Sequence, residues 1–87
     1  MYKVVFTKQA VKDLKKIKQA GLAPKVKTLI GILQEDPFKY PPRYETLIDN
    51  LKGYYSRRIN LQHRLVYKVE GKHVKVVQLW THYENFN

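Results

Sequence analysis

The spacing of the apolar residues changes once along the chain, from a helical period to a β-strand period. Across residues 8–20 and 23–36, apolar side chains recur every three or four positions, which is typical of helices with one buried face. From residue 54 onward they alternate with polar side chains, which favours strands of a half-buried sheet. Residues 2–6 form a short β-branched and aromatic run, which predicts a first strand before the helices.

The ends of these segments carry residues that start and stop helices. Thr7 is an expected N-cap for the first helix, and Gly21 follows its last turn. Pro24 lies in the first turn of the second helix, and Asp36-Pro37 ends it. The later half divides into three predicted strands joined by short connections as an antiparallel meander, at residues 54–60, 63–69 and 72–81.

This order of elements predicts one small α+β domain. An N-terminal strand and two helices would pack on one face of an antiparallel β-sheet and leave its other face to bind a ligand. Residues 38–43, with two prolines and no apolar period, predict an extended connection between the helices and the sheet. A length of 87 residues is enough for one modest core.

Charge indicates the kind of partner. Seventeen Lys and Arg residues oppose seven Asp and Glu residues, for a formal net charge of +10. Such an excess favours a polyanion, most often nucleic acid, although an ordinary basic domain is the alternative. There is no cysteine, which excludes disulfides, thiolate metal sites and cysteine nucleophiles and fits a cytoplasmic location. The N-terminal residues lack an apolar run of signal-peptide length, and no apolar run approaches the roughly 20 residues of a membrane span.

Few residues in the chain could carry out chemistry. The three histidines lack the spacing of a metal site, and there is no glycine-rich phosphate loop, so neither a metal nor a cofactor is expected. The remaining candidates are an acid, three guanidiniums and a C-terminal His-Tyr pair: Glu45, Arg57, Arg58, Arg64, His82 and Tyr83. An acid, guanidiniums and a histidine are the groups that cleave RNA without a metal. The same residues also fit a surface that binds nucleic acid without cutting it.

Four motifs resemble the toxins of toxin–antitoxin pairs in the YoeB/Txe branch of the RelE superfamily. They are "PF" at residues 37–38, "ETLIDNLKGYYSRRI" at 45–59, "HRLVY" at 63–67 and "HY" at 82–83. The resemblance implies a RelE-like fold and a ribosome-dependent mRNA endonuclease that acts in the A site. It also implies neutralisation by a cognate YefM/Axe-like antitoxin, and formation of a homodimer is open. The toxin domain would span residues 1–83, with residues 84–87 as a short C-terminal tail.

Carried over by motif, the resemblance assigns a role to each candidate. Glu45 would be the general base or an orienting group. Arg58 and Arg64 would hold and neutralise the scissile phosphate, His82 would be the general acid, and Tyr83 would position the substrate. Two further basic residues would bind RNA, Lys52 and Arg57. Two alternative functions are weighed against this one. A ParE-like gyrase inhibitor would not need the combination of Glu45, Arg64 and His82, so their joint presence counts against it. A ribosome-binding or RNA-binding module without catalysis would bind ribosomes and leave message intact.

One geometric prediction follows from the alternation of side chains in strands. Arg58 and Arg64 serve one phosphate only if they share a sheet face. A plain two-residue loop that pairs residue 60 with residue 63 would place them on opposite faces. We therefore predict an odd-numbered loop or a bulge near residues 60–62, which the register of the two strands tests.

Overall fold

The protein is a two-layer α+β domain in the computed structural model, which describes residues 1–80. Its elements are β1 (Lys3–Phe6), α1 (Lys8–Gln19), α2 (Ala23–Glu35), β2 (Tyr44–Thr46), a 3-10 turn (Asp49–Leu51), β3 (Tyr54–Arg58), β4 (Arg64–Glu70) and β5 (His73–Gln78). The five strands form one sheet in the order β1-β5-β4-β3-β2. β1 runs parallel to β5 and every other neighbouring pair is antiparallel. The sheet is therefore mixed and not purely antiparallel as predicted, because the N-terminal strand joins it as an edge strand. Within residues 1–80, no helix is long and apolar enough to cross a membrane.

Local sequence signals account for both helices. The Thr7 hydroxyl accepts a hydrogen bond from the N–H of Ala10 at 3.1 Å, so the predicted N-cap is confirmed. Gly21 has a φ of 74°, a left-handed conformation that glycine adopts at little cost after a helix. The meander of β3, β4 and β5 is also confirmed. The short strand β2 was not predicted, because three residues are too few to show a period and only pairing with β3 defines them.

The hydrophobic core lies between the helices and one face of the sheet. Its buried members include Ala10, Ile17 and Leu33 from the helices, and Tyr67 and Val76 from the strands. Burial of these apolar side chains is the main stabilising contribution to folding.

A buried carboxylate ties the first helix to the end of the sheet. Asp13, only 1% exposed, accepts hydrogen bonds at 2.9 Å from the N–H of Leu79 and from the side-chain amide of Gln9. The buried charge is thus satisfied by two donors.

Arg57 is part of the interior. It is completely buried, and its guanidinium donates to the hydroxyl of Tyr67 at 3.2 Å. It also donates to three backbone carbonyls of one irregular segment, those of Pro37 at 3.0 Å, Lys39 at 2.9 Å and Pro42 at 2.7 Å. The RNA-binding role predicted for Arg57 is therefore wrong. Alternation along β3 turns this side chain away from Arg58, as expected, but toward carbonyls that need donors.

The register between β3 and β4 confirms the geometric prediction. Arg58 lies directly opposite Arg64, which leaves an odd number of residues, 59–63, between the paired positions. The turn is closed by the His63 carbonyl, which accepts from the N–H of Ile59 at 2.9 Å and the N–H of Asn60 at 3.3 Å. Arg58 and Arg64 therefore share one face of the sheet.

Removal of the Arg57 side chain should destabilise the fold strongly. Arg57→Ala removes the guanidinium bonds to the Lys39 and Pro42 carbonyls and leaves the Pro37 carbonyl with only the Tyr67 hydroxyl, 2.7 Å away. Hydrogen bonds from charged groups contribute about 1.5–3 kcal/mol each. We expect the free energy of unfolding in urea to fall by at least about 3 kcal/mol. Arg58→Ala, at the exposed neighbour on the same strand, is the matched control and should change it by less than about 0.5 kcal/mol. Equal losses in the two variants would contradict the buried role.

Tyr67 should make stability fall at alkaline pH. Burial raises the pKa of its phenol from 10.0 to about 12, against the opposing effect of Arg57. The unfolded chain therefore loses this proton first, and the free energy of unfolding should fall between about pH 10 and pH 12. Urea unfolding at pH 9 and pH 12 should show a decrease about 2–3 kcal/mol smaller in Tyr67→Phe than in wild type. An identical decrease in both proteins would show that Tyr67 ionises as an exposed phenol.

Candidate active site

A cleft opens beside the strands β2, β3 and β4, close to helix α2. Its volume is about 300 Å³, and it is lined by Leu29, Pro42, Arg43, Glu45, Ser56, Arg58 and Arg64. Three of the seven are arginines and one is a carboxylate. Because three of its four charged side chains are cationic, the cleft is suited to an anionic ligand.

Strand pairing places the polar lining residues on one sheet face. Glu45 lies opposite Ser56 across β2 and β3, and Arg58 lies opposite Arg64 across β3 and β4. Since side chains alternate along a strand, Ser56 and Arg58 point the same way. Leu65 and Tyr67 of β4 point the opposite way, whereas the buried Val66, paired with Ser56, lies on the same face as Ser56.

An ion pair joins two of the predicted catalytic residues. Arg64 Nη1 lies 2.7 Å from Glu45 Oε1, and the two side chains are 15% and 37% exposed, respectively. A short, charge-assisted hydrogen bond of this kind orients both groups. The carboxylate remains accessible from the cleft, so an incoming ligand can reach it.

Arg58 differs from Arg64 in its surroundings. Its side chain is exposed, and it forms no ion pair with any residue in the described part of the chain. Its guanidinium can therefore bind an anion in the cleft without first breaking a salt bridge. Of the two facing arginines, Arg64 is paired with Glu45 and Arg58 is available to bind an anion.

Two lining residues were absent from the predicted site. Arg43 could have been found, because it lies two positions before Glu45 in an extended segment and extended residues two apart share a face. Ser56 gave no such signal. It is 1% exposed, and its hydroxyl has no hydrogen-bond partner among residues 1–80.

The remaining predicted residues are not brought to the cleft. Lys52 is exposed after the 3-10 turn and is not among the lining residues. Arg57 is buried on the sheet face opposite to that of Arg58. His82 and Tyr83 lie outside the described residues, so their roles stay predictions. The structure therefore unites Glu45, Arg58 and Arg64.

This arrangement can perform two chemical tasks. The guanidiniums of Arg58 and Arg64 can bind a phosphodiester and stabilise negative charge that develops on it. The carboxylate of Glu45 can accept a proton or a hydrogen bond from a hydroxyl beside that phosphate. In residues 1–80, no three His, Asp or Glu side chains come together as a metal site.

Comparison with known proteins identifies relatives along nearly the whole chain. A family model described as "YoeB-like toxin of bacterial type II toxin-antitoxin system" matches residues 6–83. The protein "Toxin YoeB" of Synechocystis is 34% identical over 84 residues, which cover 94% of this chain and 98% of that protein.

Solved structures agree with these sequence relatives. The "YoeB/ParE toxin from Agrobacterium tumefaciens" superposes with a TM-score of 0.83 at 32% identity, over 93% of this chain and 99% of that one. The toxin in a heterotetrameric YoeB-YefM complex from Staphylococcus aureus gives 0.81 at 35% identity, over 95% and 99%. The predicted RelE-like α+β fold is confirmed. Because the family model spans residues 6–83 and these structures match almost the entire chain, this protein belongs to the YoeB-like toxins of bacterial type II toxin–antitoxin systems.

Proposed function

We propose that this toxin is a ribosome-dependent, metal-independent mRNA endoribonuclease that inhibits translation. The observation that carries the proposal is the contact between Glu45 and Arg64 in a cleft that also contains Arg58. A gyrase inhibitor or a binding module does not require a carboxylate and two guanidiniums around one ligand site. A cytoplasmic location, where ribosomes translate message, is part of the proposal.

The proposed reaction is attack by a ribose 2′-hydroxyl on the adjacent phosphate. Glu45 takes the 2′-hydroxyl proton as O2′ bonds to phosphorus, and the bond from phosphorus to the 5′-oxygen breaks. The products are a 2′,3′-cyclic phosphate and a 5′-hydroxyl. Arg58 and Arg64 stabilise the charge that develops on the phosphorane oxygens.

Two groups outside the described residues complete this scheme. His82 donates the proton that the departing 5′-oxygen requires, because a neutral 5′-hydroxyl is a far better leaving group than an alkoxide. Tyr83 positions the nucleotide. These two assignments follow the "HY" motif.

Affinity for the ribosome would come from charge spread over the whole molecule. A formal charge of +10 favours contact with a phosphate backbone through release of counterions. Lys52, exposed beyond the cleft, is proposed as one such contact. Since these contacts are numerous, the loss of one catalytic group should leave binding largely intact.

The proposed partner is an acidic antitoxin segment that folds on the toxin and covers the cleft. The Staphylococcus aureus relative was solved with YefM, and acidic side chains would complement Arg43, Arg58 and Arg64 here. Homodimer formation stays a prediction. The toxin should co-purify with a short acidic protein encoded beside it, and their binding should weaken as salt rises. Neutralisation by a strongly basic partner would contradict the proposal.

Single substitutions should separate chemistry from binding. Arg64→Ala and His82→Ala should each lower message cleavage by at least about 100-fold, because each removes stabilisation of the transition state. Lys68→Ala, on the same strand as Arg64, and His73→Ala are matched controls that should cut normally. Primer extension in a translating extract locates new 5′ ends within codons, and ribosome co-sedimentation measures binding.

The outcomes distinguish the rival functions. Cleavage by His82→Ala at the wild-type rate would show that His82 is not the general acid. A wild-type protein that binds ribosomes without cutting message would be a binding module. Inhibition of DNA supercoiling with message left intact would instead support the gyrase reading.

A further inference from the structure

Within the cleft, the proposed general base, Glu45, contacts Arg64, one of the two residues proposed to bind phosphate. The Glu45 carboxylate accepts from Arg64 at 2.7 Å, so each charge neutralises its partner. A phosphate that binds Arg64 must compete with this contact. Glu45 would then lose its hydrogen-bond donor at the step in which its orientation matters.

The hydroxyl of Ser56 can supply the hydrogen bond that Glu45 would lose. The side chain is buried and lines the cleft, yet its oxygen has no hydrogen-bond partner among the described residues. Buried hydroxyls are normally hydrogen-bonded, and one that is not requires an explanation. One explanation is a hydrogen-bond acceptor that reaches the Ser56 hydroxyl only when substrate is bound in the cleft.

Glu45 is suited to be that partner. It lies directly opposite Ser56 across β2 and β3, and opposite residues of antiparallel strands have Cβ atoms about 5 Å apart. Among residues 1–80, the other lining side chains belong to leucine, proline and arginine, which cannot accept a hydrogen bond. Rotation of the Glu45 side chain, with the backbone fixed, is the movement required.

We propose that Ser56 is a positioning residue, whose hydroxyl donates a hydrogen bond to Glu45 once substrate phosphate has displaced the carboxylate from Arg64. The carboxylate then exchanges one donor for another and keeps an oxygen for the 2′-hydroxyl proton. Arg64 is released to the phosphate. This inference rests on the proposed nuclease function, but its first test requires no substrate.

The first test uses a mutation of Arg64 to break its ion pair with Glu45. In wild type, Ser56→Ala removes an unpartnered hydroxyl, so the melting temperature should stay the same or rise. In an Arg64→Met background the carboxylate is free to bond Ser56, and the same change should lower the melting temperature by about 4 °C or more. An Arg58→Met background, with the ion pair intact, is the matched control and should behave as wild type. Arg64→Gln replaces Arg64→Met if that variant fails to fold.

The sign of the change decides the result. A lower melting temperature of Ser56→Ala in wild type, or no reversal in the Arg64→Met background, would overturn the inference. Failure of wild type to cut message would overturn the proposed function alone, because the reversal is measured without RNA.

Kinetics on programmed ribosomes give a second readout. Ser56→Ala should lower kcat about 10-fold with an unchanged KM, since it disturbs the orientation of the base and not substrate binding. Ser56→Thr, which keeps the hydroxyl, should restore kcat. A raised KM with normal kcat would mean that the hydroxyl contacts the substrate, and would overturn the assignment to Glu45.

Discussion

The buried guanidinium of Arg57 holds in place the irregular segment between α2 and β2. Its bonds to the carbonyls of Pro37, Lys39 and Pro42 satisfy a segment that forms neither helix nor sheet. The same segment leads directly into β2, and Pro42 also lines the cleft. A buried charged residue therefore holds one wall of the site in place. Its burial is tolerated because several acceptors surround the charge.

Two consecutive arginines of one strand thus have different surroundings. Arg57 points into the interior and Arg58 toward the cleft, because successive side chains of a strand point to opposite faces. The odd-numbered connection after β3 then aligns Arg58 with Arg64. A shift of one residue in this register would separate the two guanidiniums and turn core side chains outward. The same pairing that buries Tyr67 therefore assembles the site.

The sequence predicts those features that depend on short-range pattern. Apolar spacing and capping residues such as Thr7 define both helices, and alternation places Arg58 and Arg64 on a common face. The partner of a side chain in the interior is not a local property. The burial of Arg57 could not be predicted from the sequence, because its acceptors lie 15 to 20 residues away in a segment without any apolar period. The strand β2, and the Ser56 hydroxyl without a hydrogen-bond partner in residues 1–80, likewise depend on tertiary structure.

The charges that line the cleft are arranged to bind an anion. Arg58 and Arg64 lie directly opposite each other, and like charges in that position destabilise a sheet. The Glu45 carboxylate, 2.7 Å from Arg64, offsets this repulsion. A phosphodiester bound between the two guanidiniums would take over that role and leave Glu45 without its counterion. Phosphate binding and release of the Glu45 carboxylate from Arg64 would then occur together, because one negative charge replaces the other beside Arg64.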